Sequence, residues 1–380
     1  RPVGVEPPPV LADREANSRR SRSQQQAMTT DRAIGFAIIG CGRAGHFHMD
    51  AIASMSKASL QWLVDTDAAH AASCAKRLGC KDSAVAADCF SDPAVDAVII
   101  ASVTNSHYSY IKAALLAGKA VYTEKPISHD PAELLEIVEL AESTRLPFMV
   151  GYQRRIDKNF LELQAQCAGG AVGQLRVIKC CSRDNPLPPL EYLRVSGGIF
   201  CDMLCHDIDM IHFLSNQVPL EMYAIGHCYN ADIAAMNDID TVVVSMKFAS
   251  GLMATVDVSR TASYGYDQRV EVFGELGMVS AHNVQENTVV VATERGYVAP
   301  RAQWSFPQRY QAAYPSNVSQ FADLVRDKAV EEPAILRRHI DLERCTAAAE
   351  LSWLLGTPVK LDSVDGLRHH LSHHLSTPLA

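Results

Sequence analysis

A short apolar run at residues 34–39 leads directly into Gly40-Cys41-Gly42-Arg43-Ala44-Gly45, and a helix-like segment follows. A strand, a Gly-x-Gly-x-x-Gly turn and a helix in this order are typical of the start of a βαβ unit. The glycines allow a tight turn, close approach of the backbone to a pyrophosphate, and close packing of helix on strand. The helix N-terminus favours phosphate charge. The stretch predicts a dinucleotide-binding domain, with candidate contacts at Gly40, Gly42, Arg43, Ala44 and Gly45.

A second predicted strand, residues 60–64, ends at Asp65, twenty residues beyond Gly45. A carboxylate at that distance would accept the hydroxyls of an adenosine ribose. Asp65 and the nearby Asp67 would repel a 2′-phosphate, and no arginine follows directly to receive one. The pattern therefore predicts NAD rather than NADP as the cofactor. The alternative is that Asp65 is an ordinary turn residue at a strand end.

Strands and helices continue to alternate up to residue 150, with predicted strands at residues 97–101 and 120–123. This alternation predicts a parallel, doubly wound sheet that binds ligands at the carboxyl ends of its strands. Asn105 follows the first of these strands, and Glu124-Lys125-Pro126 follows the second, so Asn105, Glu124 and Lys125 are further candidate cofactor contacts. Pro126 cannot extend the sheet and restricts Lys125, which presents the lysine at the rim. A surface salt bridge between Glu124 and Lys125 is the alternative.

The segment from Gly197 to Asp209 places Asp202, His206 and Asp209 at i, i+4 and i+7, on one face of a predicted helix. An imidazole between two carboxylates is a general base with orienting partners. A histidine, with a pKa of about 6.5, suits removal of a hydroxyl proton near neutral pH. The alternative is a structural helix with a solvated charged face.

Beyond Gly151 the pattern changes to alternating strands, predicted at residues 241–248, 252–258, 269–273 and 288–292. It predicts an antiparallel sheet with one covered face, whose open face suits self-association. The predicted fold class is α/β, with an N-terminal Rossmann dinucleotide-binding domain and a C-terminal α+β domain with a large open, mostly antiparallel sheet. The predicted divisions are a disordered tail at residues 1–33, the Rossmann domain at 34–150, a substrate-binding and oligomerisation domain at 151–360, and a polar tail at 361–380.

The 380-residue chain has a formal net charge of −8, which gives no general electrostatic reason to bind nucleic acid or an anionic membrane. Its 11 cysteines form no regular disulfide framework. No apolar run approaches the roughly 20 residues that span a bilayer. We therefore expect a cytoplasmic protein with reduced thiols and a small-molecule substrate. We expect no metal, although one polar stretch has histidines at metal-binding spacing, namely His369, His370, His373 and His374.

The glycine motif, Glu124-Lys125-Pro126 and the segment with Asp202 and His206 occur in an order and spacing that resemble the Gfo/Idh/MocA oxidoreductase family. The resemblance covers about residues 34–360. It implies a catalytic set of Lys125, Asp202 and His206, and usually a homotetramer assembled through the open sheet. His206 would take the hydroxyl proton, Lys125 would stabilise the charge developing on oxygen, and Asp202 would orient them.

Three further segments, at residues 151–157, 183–186 and 264–267, look like the inositol 2-dehydrogenase branch of that family. They imply NAD-dependent oxidation of a cyclic polyol, above all of myo-inositol to 2-keto-myo-inositol. The implied polyol contacts are Arg155, Asn185, Asp209 and Tyr266, with Arg154 and Tyr264 as near competitors. Bacterial inositol enzymes look like they carry a histidine before the Asn-Pro pair, where this chain has Arg183.

Several alternatives stay open at this point. The same fold could act on another inositol isomer, an aldose or a trans-dihydrodiol. It could also serve as a non-catalytic NAD-sensing regulator, although the chain retains the whole implied catalytic set. A metal-dependent site would recruit Cys201, Cys205, His206 and His212, but one helix cannot direct all four side chains to one ion.

Overall fold

The structure is a computed structural model that describes residues 32–364. The tail predicted at residues 1–33 lies outside the described residues except for its last two positions, and the histidines at residues 369–374 lie outside them as well. None of the described helices combines the length and the apolar character needed to cross a membrane.

The N-terminal part is a parallel sheet of six described strands in the order β3-β2-β1-β4-β5-β6. The strands are β1 (Ile34–Ile39), β2 (Ala58–Val64), β3 (Lys81–Ser83), β4 (Ala97–Ile100), β5 (Ala120–Glu124) and β6 (Phe148–Gly151). The helices that connect them are α1 (Arg43–Ala53), α2 (Ala68–Leu78), α3 (Ala86–Ser91), α4 (His107–Leu116) and α5 (Pro131–Thr144). β1 is buried along its whole length, because helices cover both faces of the sheet. The predicted Rossmann architecture is confirmed.

The C-terminal part is a sheet of seven described strands in the order β12-β11-β7-β10-β9-β8-β15. Only the β7–β10 pair is parallel, so the prediction of a mostly antiparallel sheet is confirmed. The remaining strands of the chain are β7 (Leu175–Arg183), β8 (Glu221–His227), β9 (Thr241–Lys247), β10 (Met253–Ser259), β11 (Asp267–Gly274), β12 (Met278–Ala281), β13 (Val291–Thr293), β14 (Gly296–Val298) and β15 (Val359–Lys360).

Helices cover one face of this second sheet and leave the other face open. The remaining helices are α6 (Lys158–Ala168), α7 (Leu190–Leu193), α8 (Cys205–Ser215), α9 (Ala231–Ala234), α10 (Phe306–Arg309), α11 (Ala313–Asp327) and α12 (Pro333–Leu355), of which α6, α8 and α12 contact strands of this sheet. Residues of β9 alternate between buried and more exposed positions, as expected for a strand with one covered face. A π-helical turn, Phe200–Leu204, immediately precedes α8.

One detail of the predicted organisation is wrong, and two structural features bear on the predicted divisions. The strand predicted at residues 288–292 does not join the large sheet, because β13 pairs only with β14 in a separate hairpin among the described residues. Helix α11 packs on the N-terminal sheet, where the rings of Phe36 and Phe321 lie 6.2 Å apart, so residues 151–360 are not one compact unit. Leu361 and Val364, at the start of the predicted polar tail, are buried.

Candidate active site

The turn between β1 and α1 has the shape of a phosphate-binding loop. Gly40 has a φ of 99°, and a Cβ there would lie 2.6 Å from backbone atoms of Ala101. A Cβ on Gly45 would lie 2.1 Å from the carbonyl oxygen of Gly40, so both positions require glycine. At Gly42 no described atom lies within 4 Å of the place a Cβ would occupy, and no described side chain caps α1. This space and the N–H groups of the first helical turn fit a dinucleotide pyrophosphate.

Asp65 lies at the carboxyl end of β2, beside the glycine turn. Its Oδ2 accepts a 2.7 Å hydrogen bond from the backbone N–H of Cys41, and its Oδ1 accepts one of 2.9 Å from the N–H of Asp67. The carboxylate predicted to bind ribose therefore also braces the turn. Two carboxylates at this edge oppose a 2′-phosphate, in agreement with NAD as the cofactor.

Arg43 and Asn105 lie at the same edge of the sheet. The Arg43 guanidinium stacks 4.8 Å from the ring centroid of Phe306 and 5.6 Å from that of Tyr192. Both rings belong to the second domain, so Arg43 bridges the cleft between the domains. Asn105 is exposed in a 3-10 turn, Thr104–Ser106, which follows β4.

Two buried histidines hold the loops at this edge, and no motif in the sequence predicts a role for either of them. His48 on α1 pairs with Glu124 through its Nε2, 2.7 Å from Oε1. The ring nitrogens of His107 lie 2.8 Å from the carbonyl oxygen of Pro126 and 3.0 Å from that of Ser102, so this ring joins the loops after β5 and β4. In the sequence, both histidines lie on helices next to loops that are predicted to bind a ligand. This position is the feature that could have identified them.

Lys125 and Asp202 form a buried ion pair between the two domains. The Lys125 Nζ donates hydrogen bonds to the backbone oxygen of Asp202 at 2.8 Å and to its Oδ1 at 3.0 Å. Asp202 also accepts hydrogen bonds from the Tyr192 hydroxyl at 2.7 Å and from Arg260 Nη1 at 3.1 Å. Burial opposes charge on both members of the pair. Even so, the Asp202 charge raises the pKa of Lys125, while Lys125 and Arg260 lower the pKa of Asp202 to about 2. The pair is therefore charged at neutral pH.

The expectation that one α-helical face carries an imidazole between two carboxylates is wrong. Asp202 lies in the π-helical turn, whose wider spacing changes the direction of its side chain relative to α8. Asp202 points to Lys125 and Arg260, whereas Asp209 pairs with Arg155. Among the described residues, neither carboxylate bonds to the imidazole of His206.

His206 is buried next to these groups and carries a neutral ring. Its Nδ1 has no hydrogen-bond partner within the described part of the chain. The Tyr152 ring packs edge-on against it, with ring centroids 5.9 Å apart. Burial, together with the positive charges of Lys125 and Arg154, lowers the pKa of His206 well below 6.5. A neutral imidazole can accept a proton, which is the state that a general base needs.

Two of the predicted polyol contacts, Arg155 and Asp209, are engaged with each other. Arg155 donates to both carboxylate oxygens of Asp209, with 2.7 Å between Nε and Oδ2. Asp209 is 1% exposed, so it is not available to a ligand in this state. Of the two neighbouring arginines, the near competitor Arg154 is the one whose charge acts on His206, and it bonds to Asp207 at 2.9 Å.

Adjacent residues after β7 face opposite sides of the second sheet. Asn185 donates a 2.8 Å hydrogen bond to the backbone oxygen of Trp304 and, with Arg183 and Tyr264, lines a cavity of about 560 Å³ on the open face. The structure thus separates the predicted contact Asn185 from the Lys125 pair. Asp184 lies near that pair instead, although no motif in the sequence predicts a role for it.

The Asp184 carboxyl is half-buried and accepts no hydrogen bond from the described residues. Burial and the neighbouring Asp202 charge raise its pKa to about 7. Tyr266 is buried close by, where the charges of Arg154 and Asp184 act on its hydroxyl, and it stays a predicted polyol contact. The alternation of side chains along a strand end is the signal that could have identified Asp184.

The metal alternative at the central helix finds no support. Within residues 32–364, Cys201, Cys205, His206 and His212 do not converge on a common point.

The glycine turn has room for a pyrophosphate, and a charged lysine and a neutral histidine lie at the same edge of the sheet. Together these features define a dinucleotide-dependent oxidoreductase. The comparisons with known proteins agree with this class. Residues 34–152 match the family model described as an oxidoreductase family with an NAD-binding Rossmann fold, and residues 160–280 match the GFO/IDH/MocA C-terminal domain. The chain belongs to the Gfo/Idh/MocA oxidoreductase family, and NAD is its cofactor.

Similar proteins include several inositol dehydrogenases. The myo-inositol 2-dehydrogenase of Thermotoga maritima is 36% identical over 78% of this chain and 89% of its own length. The inositol 2-dehydrogenase of Rhizobium meliloti is 34% identical over 79% and 91%. A crystal structure of scyllo-inositol dehydrogenase from Lactobacillus casei with NAD(H) and scyllo-inositol superposes with a TM-score of 0.81, at 25% identity over 87% of this chain and 100% of that one.

Proposed function

We propose that this protein oxidises a secondary hydroxyl of a cyclic polyol with NAD, and that its substrate is myo-inositol, which becomes 2-keto-myo-inositol. The observation that carries the proposal is the neutral His206 beside the charged Lys125–Asp202 pair, at the edge of the NAD-binding sheet. The names of the relatives at 34% and 36% identity supply the substrate class.

Each member of the catalytic set has a separate task in this proposal. NAD, when bound, supplies the acceptor for the hydride that leaves the substrate carbon. His206 takes the hydroxyl proton, because its ring is neutral. Lys125 donates a hydrogen bond to the substrate oxygen and stabilises the negative charge that develops there. Asp202 holds the Lys125 ammonium in place through a 3.0 Å bond.

We assign polyol recognition to the groups that lie beside this set. Asp184 has a carboxyl without a hydrogen-bond donor among the described residues, and Tyr266 and Arg154 lie next to it. A ring polyol needs such groups from several directions to fix which carbon reacts. An apolar dihydrodiol would leave them unpaired in a partly buried site, which costs binding energy.

A substrate panel tests the proposal directly. The purified protein is incubated with NAD or NADP and with myo-inositol, scyllo-inositol, glucose or a trans-dihydrodiol, and NADH absorbance is followed. We expect reduction of NAD with myo-inositol and much less with the dihydrodiol. Turnover of glucose or the dihydrodiol with inert myo-inositol would overturn the substrate assignment.

We further propose that the enzyme assembles as a homotetramer through the open face of the second sheet. Five apolar side chains on this face are at least 43% exposed: Ile225, Val243, Met253, Phe273 and Met278. An exposed apolar face of this extent is typical of a protein–protein interface. A cytoplasmic location is supported by the cysteines, because no disulfide bond joins any two of them in the described residues.

A further inference from the structure

Three potential metal ligands converge between α1 and α2, away from the Lys125 pair. His46 comes from α1, while His70 and Cys74 stand at i and i+4 on one face of α2. Each residue offers one ligand atom, and these atoms all lie within 4.8 Å of one another. In the described residues, no other group of three or more histidine, cysteine or carboxylate side chains converges in this way.

The spacing of the three groups is close to that of a metal site. Tetrahedral zinc with Zn–N of about 2.0–2.1 Å and Zn–S of about 2.3 Å places its ligand atoms roughly 3.3–3.6 Å apart. The Cys74 Sγ already lies 3.9 Å from His70 Nε2. The two imidazole rings have centroids 5.8 Å apart. His70 is exposed and His46 half-buried, so small rotations of their side chains can close the remaining distance.

Backbone carbonyls of the glycine turn orient the two imidazoles. His46 Nδ1 lies 2.9 Å from the Gly42 oxygen, so a proton on Nδ1 leaves Nε2 free as a ligand. Zinc-binding histidines commonly donate their second N–H to a carbonyl in this way. His70 Nε2 lies 3.0 Å from the Cys41 oxygen, so without metal it carries the ring proton; to bind a metal through Nε2, the ring gives up this hydrogen bond and keeps its proton on Nδ1.

We propose that His46, His70 and Cys74 form a Zn²⁺ site beside the glycine turn, with water as the fourth ligand. Two imidazoles and one thiolate are a ligand set that zinc prefers over magnesium or calcium. On binding, the Cys74 thiol releases its proton to solvent and the thiolate sulfur bonds to the metal. The site lies on the cofactor domain and is separate from the residues assigned to hydride and proton transfer.

Titration of the full-length protein with Co²⁺ tests the site, because a Co²⁺–thiolate bond gives a charge-transfer band in the near ultraviolet. The histidines at residues 369–374 cannot produce that band, so they do not confuse the result. We expect the band in the wild type, its loss on addition of Zn²⁺, and its loss in Cys74→Ser and His70→Ala. Circular dichroism establishes that each variant is folded.

Cys80→Ser is the matched control, because the Cys80 thiol lies near Cys74 but is not part of the converging group. The control should keep the band at full intensity. A second readout is the melting temperature, which Zn²⁺ should raise in the wild type and in Cys80→Ser but not in His70→Ala. Absence of the band from the wild type, or its persistence in folded Cys74→Ser, would overturn the proposal.

Discussion

The six-stranded parallel sheet and the seven-stranded mixed sheet use their faces differently. Both faces of the parallel sheet are covered, and β1 is buried throughout. In the mixed sheet only one face is covered, so β9 alternates between buried and exposed side chains. A sheet covered on both faces can offer functional groups only at its strand ends. A sheet with a free face can offer that face to another molecule as well.

The candidate active site lies where the end of the first sheet meets the covered side of the second. Lys125 follows β5 and reaches Asp202, which precedes α8 on the covered side. At the end of β7 the alternation of side chains sends Arg183 to Asp257 on the open face and Asp184 toward Lys125. Two neighbouring residues at the end of one strand therefore have different surroundings: Asp184 faces the candidate active site, and Arg183 faces the open surface.

The largest effect should come from Lys125→Met, which removes the ammonium while keeping an unbranched side chain. We expect kcat to fall by about 10²-fold or more, as for the loss of a group that stabilises an oxyanion. The KM for NAD should change far less, because the glycine turn and Asp65 remain. Steady-state kinetics with myo-inositol measure both values.

Lys112→Met is the matched control for that variant. Lys112 is a half-buried lysine on α4 that pairs with Glu136, remote from Asp202 and His206, so its loss should leave kcat unchanged. A Lys125→Met enzyme with near-normal turnover would mean that the Lys125–Asp202 pair has only a structural role at the meeting of the two sheets.

A smaller effect is expected from Asp65→Ala at the carboxyl end of β2. The substitution removes a ribose acceptor and the 2.7 Å bond that braces the turn at Cys41. Charge-assisted hydrogen bonds contribute about 1.5–3 kcal/mol each, so NAD affinity should fall roughly 10- to 100-fold. Isothermal titration with NAD measures the change, and Asp82→Ala on exposed β3 is the control. If Asp65→Ala and the wild type bind NAD with equal affinity, the ribose does not bind at Asp65.

The N-terminal part was easier to predict from sequence than the substrate side. The Gly40–Gly45 turn, Asp65 and Lys125 depend on local patterns, because strand, turn and helix follow one another directly in the chain. The Arg155–Asp209 pair joins residues 54 positions apart, and Asp202 is redirected by a π-helical turn that hydrophobic periodicity does not reveal. Asp184 was missed because its side of the sheet depends on the register of β7 with β10 and β11.

A still smaller effect on activity is expected for Asp184→Asn than for the substitutions of Lys125 and Asp65. This variant tests the covered side of the second sheet. The pKa of Asp184 is raised to about 7, so the carboxyl loses its proton and can accept a substrate hydroxyl as the pH rises through 7. We expect kcat/KM for myo-inositol to rise across pH 6–8 in the wild type. His206 does not contribute to this step, because its pKa lies well below 6.5.

In Asp184→Asn the position stays neutral at every pH, so this rise should disappear and KM should increase several-fold. Asp257→Asn on the open face is the comparison variant and should keep the pH dependence of the wild type. An unchanged profile in Asp184→Asn would assign the titration to another group and remove Asp184 from polyol recognition.

The smallest effect on catalysis should come from Val243→Glu on the open face. Val243 lies opposite Ile225 in the β8–β9 pair, and the two side chains are 48% and 62% exposed. If four copies meet through this face, a carboxylate there would lie in an apolar interface without a partner, which is strongly unfavourable. We expect light scattering after gel filtration to report smaller assemblies for the variant. Its kcat per chain should stay within about twofold of the wild type, because the side chain faces away from Lys125.

Val289→Glu is the control, because Val289 is an exposed site outside the large sheet, and this variant should leave the assembly intact. A variant that remains tetrameric would show that the open face is not the interface, and a large loss of kcat on dissociation would show that the two faces of the second sheet do not act independently.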